Sequence, residues 1–198
     1  MHRFPKFSRT TAITVCATLL LLCAACSGGT SDAKASETAT EMRTKMLAAT
    51  HFTLTANIRA DYGERVYDYT VSFDGAPDDG TITILKPEEV SGVTARLDKG
   101  SATLLWDGAA VDTGAIAENI SPVAMVTTLI DEWRNGYIES HALAETDSGA
   151  TLAIRTKLAE GVIETSVFNA ETFLPISAEI SVGGRVALSA TFFDATIT

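Results

Sequence analysis

Apolar and polar residues alternate with a period of two along most of this chain. Phe52, Leu54, Ala56 and Ile58 alternate with Thr53, Thr55, Asn57 and Arg59, the signature of a half-buried strand. After the turn Asp61-Tyr62-Gly63, Tyr67, Tyr69, Val71 and Phe73 alternate with Asp68, Thr70 and Ser72. The turn-forming run 74–80 leads to a third strand, Thr81 to Leu85, which Pro87 ends, with Glu88-Glu89 in the loop. Val93, Ala95 and Leu97 mark a fourth strand, with Asp98-Lys99-Gly100 as its hairpin turn. Ala102 to Trp106 is a fifth, and Asp107-Gly108 turns into a short sixth, Ala109 to Thr113. Five more follow: Tyr137 to Glu145, Thr151 to Thr156, Val162 to Phe168, Ile176 to Val182 and Arg185 to Ile197. Gly183-Gly184 suits the last hairpin, because both positions can take positive φ.

Two segments break the period. Glu41, Met42, Met46 and Leu47 predict a short amphipathic helix that starts near Ser36 or Thr38 and ends before Thr50. Ser121 caps a second, with Pro122 at the first position, where no amide hydrogen is needed. Val123, Val126, Ile130 and Trp133 fall on one face of it, with Leu129 beside them, and Asn135-Gly136 stops it. Strands joined by short turns, without βαβ alternation, make an antiparallel sheet. A meander this long must close, split or curl to hide its edges. The expected fold is therefore mainly β with two helices (α+β). It is a strongly curved antiparallel half-barrel of about ten or eleven strands, with a helical plug or lid on the concave side.

The N-terminus has its own pattern. Arg3, Lys6 and Arg9 precede an apolar run from Ala12 to Leu22, long enough for a signal-peptide core and too short to span a bilayer. It ends in Ala24-Ala25-Cys26. This resembles a bacterial lipoprotein signal, which implies a diacylglycerol thioether on Cys26. The usual Leu three places before the cysteine is here Cys23, itself a poor acceptor behind bulky Leu22. An ordinary secretory signal cut near Ala25 is the alternative. The expected organisation is a signal peptide over 1–25, a lipid-anchored flexible tether over 26–40 and one folded domain over 41–198. The protein is then extracytoplasmic and held at the cell membrane through the lipid on Cys26.

Composition narrows the partners. The chain has 15 Lys+Arg and 25 Asp+Glu. Removal of 1–25 takes three basic residues and no acid, leaving 12 against 25, a net −13. That sign excludes nucleic acid and disfavours anionic lipid head groups. Cys16, Cys23 and Cys26 all lie in the first 26 residues, so the domain has no disulfide, thiolate nucleophile or cysteine metal site.

No constellation for catalysis stands out. His51 and His141 lack metal-ligand spacing, and Glu88-Glu89 and Asp78-Asp79 are acidic pairs in turns. There is no Gly-x-Ser-x-Gly elbow, no phosphate loop and no calcium loop. No catalytic residue, metal ligand or cofactor is assigned. What remains is apolar: Leu54, Ile58, Trp106, Val126, Ile130, Trp133, Phe168 and Phe192 either line a cavity or pack as core, and only volume separates the two.

The order of parts resembles the lipoprotein-carrier superfamily of the LolA, LolB and LppX type. The stretches that carry this are KPEEVSGVTARL (86–97), ATLLWDGAAVDTG (102–114), SPVAMVTTLIDEWRNG (121–136) and NAETFLPISAEI (169–180), the last leading through Gly183-Gly184 into VALSATFFD. The nearest look is to lipoproteins of spore-forming Gram-positive bacteria, including germination lipoproteins of the GerS type. The resemblance implies an open half-barrel with helices over an apolar cavity. Soluble LolA carries no anchor, whereas one is expected on this chain, and the arginine that locks its lid has no counterpart placed here. Three functions follow: a module that binds a lipid or other apolar ligand, an adaptor for a cell-envelope or spore-cortex enzyme, and, last, an enzyme.

Overall fold

The computed structural model of the chain describes residues 28–98, 101–106, 109–115 and 122–198, with side chains for 32–98, 103–105 and 124–198. The chain divides into two units, Met1–Lys34 and Ala35–Thr198, and the second holds the sheet. The elements in order are α1 (Gly28–Ala48), β1 (Phe52–Asp61), β2 (Val66–Ala76), β3 (Asp79–Lys86), β4 (Thr94–Asp98), β5 (Ser101–Trp106), β6 (Ala109–Ala115), α2 (Pro122–Asn135), β7 (Ile138–Thr146), β8 (Gly149–Ala159), β9 (Val162–Asn169), β10 (Pro175–Val182) and β11 (Arg185–Ile197). A short 3-10 turn, Glu88–Val90, sits between β3 and β4.

All eleven strands form one antiparallel sheet in the order β6-β5-β4-β3-β2-β1-β11-β10-β9-β8-β7. The sheet is an open, curved half-barrel with β6 and β7 at its edges, and the chain passes from one edge to the other through α2. The two ends of the folded region meet in the middle, where Phe52 pairs with Ile197 and Ala60 with Leu188. Gly183 and Gly184 have φ of 59° and 82°, the left-handed values the last hairpin turn requires.

Alternation predicts the inward faces of β1, β2 and β4, although Tyr67 near the start of β2 is 38% exposed. Phe52, Leu54, Ala56, Ile58, Val71, Phe73, Ile82, Ile84, Ala95 and Leu97 are buried in one cluster. They meet Met125, Val126, Leu129, Ile130 and Trp133 of α2 and Met42 and Met46 of α1. Burial of such a contiguous apolar face is the main stabilising term, roughly 25 cal/mol for each Å² removed from water.

Three expectations change. α1 begins at Gly28, so residues 28–40 are helical rather than a flexible tether. The reason is small-residue packing: Ala35 and Ala39 are buried and continue the stripe of Met42 and Met46 by whole turns. Alanine gives no amphipathic signal in a run of Ser, Thr and Ala, yet it is the best helix former. Leu47 lies off that stripe and is 50% exposed. Gly136 does not take positive φ; glycine is required there because a Cβ would collide with the Glu132 carboxylate and carbonyl. Its amide still donates to the Glu132 carbonyl at 2.9 Å. Cys26, Ser121, Lys99-Gly100 and Asp107-Gly108 lie outside the described residues, as do the side chains of Trp106 and Val123.

Candidate functional site

The concave face under α2 is the candidate site. The strand register puts Leu54 and Ile58 of β1, Phe168 of β9 and Phe192 of β11 on it. α2 lays Val126, Ile130 and Trp133 against it. Seven of the eight sequence-derived candidates thus share one apolar cluster. Trp133 is 2% exposed and packs edge-on to Phe168 and Phe192, with ring centroids 5.3 and 5.7 Å away.

The structure adds a polar spot that apolar pattern-reading misses. Thr156 of β8 and Glu164 of β9 are cross-strand partners facing inward, and Ser166 is the next inward residue of β9. They are the buried polar side chains among the described residues. The Trp133 indole N–H donates to Ser166 Oγ at 2.8 Å. The Ser166 hydroxyl donates in turn to Glu164 Oε1, and Thr156 Oγ1 donates to Oε2 at 2.5 Å. The chain of bonds runs from α2 into a fully buried carboxyl. Burial pushes the Glu164 carboxyl above the usual range, the Ser166 and Thr156 hydroxyls pull it down, and nearby Glu132 pushes it up. Glu132 on α2 is also raised, first by burial, and Oε2 of its carboxylate is buried without a hydrogen-bond partner.

Two arginines tie the helices together at their C-terminal ends. Arg43 of α1 donates through Nη1 to the Arg134 carbonyl at 2.9 Å and through Nη2 to the Gly136 carbonyl at 2.7 Å. Arg134 Nε donates to the Met46 carbonyl of α1 at 3.2 Å. Each cation thereby satisfies carbonyls that the other helix leaves unpaired and sits at the negative end of its dipole. Burial lowers the Arg43 pKa, with the carboxylates of Glu132 and Glu164 opposing. Neither arginine carries a sequence signal, because its partners are backbone carbonyls about 90 residues away.

The remaining candidates do not assemble. His51 Nε2 lies 3.1 Å from Asp74 Oδ1 on the outer surface. His141 is on edge strand β7, beside a groove of about 540 Å³ between α1 and that strand, which Arg43, Tyr137 and Ile138 also line. Glu88 and Glu89 are exposed in the 3-10 turn. Among the described residues no three His, Cys, Asp or Glu side chains are placed to hold a metal ion. No helix among them is long and apolar enough to cross a membrane.

No family model matches the chain, and no curated protein is similar to it at a significant level. Solved structures are similar in fold. An uncharacterised conserved protein from Thermus thermophilus superimposes with a TM-score of 0.52 at 10% identity, covering 81% of this chain and 87% of that one. The lipoprotein LppX of Mycobacterium tuberculosis gives 0.48 at 12% identity, over 83% of this chain and 96% of that one. A chain from the complex of the CwlD amidase with the GerS lipoprotein of Clostridioides difficile gives 0.42 at 10%, over 80% and 93%. The likeness is one of fold alone, an open antiparallel half-barrel with helices, which is the architecture the sequence resemblance implies.

Proposed function

We propose that this is a non-enzymatic, extracytoplasmic lipoprotein, anchored to the cell membrane through Cys26, that takes a lipid or other apolar molecule between its half-barrel and α2. One observation supports it above the others. Among the described residues, side-chain hydrogen bonds between α2 and the rest of the domain fall at residues 133–136: Trp133 to Ser166, Arg134 to Met46, and Arg43 to the carbonyls of 134 and 136. Upstream, Thr127 and Thr128 bond only within the helix, to the Ala124 carbonyl, while Met125, Val126, Leu129 and Ile130 rest on apolar contacts. Apolar contacts are non-directional and can be exchanged for those of a ligand. The arginine bonds at 134 and 136 are the hinge, and from Trp133 back the helix rests on one polar contact and an apolar footing that a ligand can replace, which suits a hinged lid. Titration with an apolar fluorescent probe tests it. Saturable binding that Val126→Asp weakens is the expected result, and no saturable binding to the intact protein would sink the carrier reading.

A second reading, an adaptor for a cell-envelope enzyme, draws on the groove between α1 and β7. An edge strand beside a groove offers unpaired backbone groups to an incoming segment, and Tyr137 at its end is 77% exposed. Cross-linking in native membranes through Tyr137 tests it, and a single protein captured there, with no probe binding, would favour the adaptor. Neither reading uses His51, His141 or Glu88 chemically, so their alanine variants should keep full function.

A further inference from the structure

Glu164 is fully buried beneath the closed end of α2. Burying an ionised carboxyl costs several kcal/mol unless a cation or enough donors compensate. The groups that face Glu164 can be followed element by element. β8 gives the Thr156 hydroxyl and β9 the Ser166 hydroxyl. α2 gives the carboxylates of Glu132 and, further out, Asp131, both of the wrong sign, and the indole of Trp133 acting through Ser166. α1 gives Arg43, the one cation of this group among the described residues. Its Nη atoms are committed to carbonyls of α2, and its Nε is buried with no partner. An ionised Glu164 thus faces a second carboxylate and shares a single, already occupied guanidinium. A neutral Glu164 carries no such penalty, because the hydroxyls of Ser166 and Thr156 can reverse and accept as well as donate.

We infer that Glu164 is a proton-controlled latch for α2: with the carboxyl protonated the helix stays seated on the concave face, and ionisation releases it. This rests on the reading of α2 as a lid. The sign follows from the buried geometry. In the closed state the Glu164 carboxyl is raised above its free value. Closure is then fully favoured below the ordinary glutamate pKa and is lost as pH rises through the closed-state value. In that interval a one-proton step makes the open form about tenfold more populated, relative to the closed form, for each pH unit. Release puts Glu164 in contact with water and frees the concave face for a ligand. Mild acid holds the face shut.

The test uses the full chain with Trp106→Phe, so that Trp133 alone reports. Acrylamide quenching and emission wavelength are followed from about pH 4 to about pH 9, around the free glutamate value of roughly 4.3. Wild-type Trp133 should become more quenchable and red-shifted as pH rises, in a one-proton transition, and Glu164→Gln should stay closed throughout. A pH-independent wild type, or a Glu164→Gln that titrates like wild type, overturns the latch. Should Glu164→Gln fail to fold by circular dichroism, two other variants decide. Glu132→Gln removes a repelling charge and should move the midpoint down, whereas Ser166→Ala removes a donor and should move it up; unmoved midpoints overturn the proposal. Probe binding, with Trp106 retained, separates this idea from the one beneath it. Equal binding at both pH extremes ends the latch and leaves the carrier, while binding at neither ends the carrier and leaves the latch to the Trp133 signal.

Discussion

On the β1–β6 side of the concave face every described buried side chain is apolar, whereas β8 and β9 bury Thr156, Glu164 and Ser166 on the same face. Both halves lie in one sheet, and both touch the apolar cluster. They hold their neighbours by different means. Apolar burial scales with area and tolerates small shifts. A chain of hydrogen bonds into a carboxyl is directional, and one proton alters it. In the proposed latch the first half is the foundation and the second the seat that is vacated.

Substitutions can break this contrast or sharpen it. The largest effect is expected in the foundation: Phe73→Ala should cost about 3–5 kcal/mol in denaturant unfolding, the range for emptying a buried aromatic site, with no change in its pH dependence. Trp133→Ala should come out at about 3 kcal/mol or less, because a hinged helix can part from the sheet, and apolar-probe binding should change with it. A loss as large as that of Phe73→Ala, with no probe binding to the wild type, would make α2 a permanent plug. Ser166→Ala leaves the indole N–H and one Glu164 oxygen short of a partner and should cost about 2 kcal/mol, with an altered pH profile of stability. Smallest is Arg43→Met, at about 1 kcal/mol from half-exposed hydrogen bonds, read as faster exchange of the amides of α2 rather than as global unfolding.

How much of this is legible in the chain depends on what carries the signal. β1 can be read outright, since its buried Phe52, Leu54, Ala56 and Ile58 are also its large or apolar residues. β9 cannot be read for facing. In Val162-Ile163-Glu164-Thr165-Ser166-Val167-Phe168 the parity of Ile163 and Val167 competes with that of Val162 and Phe168, and a one-residue choice exchanges the faces. Only pairing with Thr156 and Ile180 on the flanking strands turns Glu164 inward. The seven described apolar candidates are legible because size and hydrophobicity coincide in them. The Arg43–Gly136 contact is out of reach, because a carbonyl has no sequence identity. The start of α1 escapes for the opposite reason, since alanine packs closely without being conspicuous.

The pairing of β1 with β11 has a consequence for the order of folding. The central ladder of the sheet joins the first strand of the chain to the last, and Thr198 closes it by exchanging backbone hydrogen bonds with His51. Neighbouring strands elsewhere can zip as hairpins while the chain is still emerging, but the middle has to wait for β11. Contacts this distant in sequence are slow to form. Until β11 pairs with β1 the two arms can exist only as separate, half-covered meanders. Loss of the last few residues would remove the centre of the sheet and not its margin.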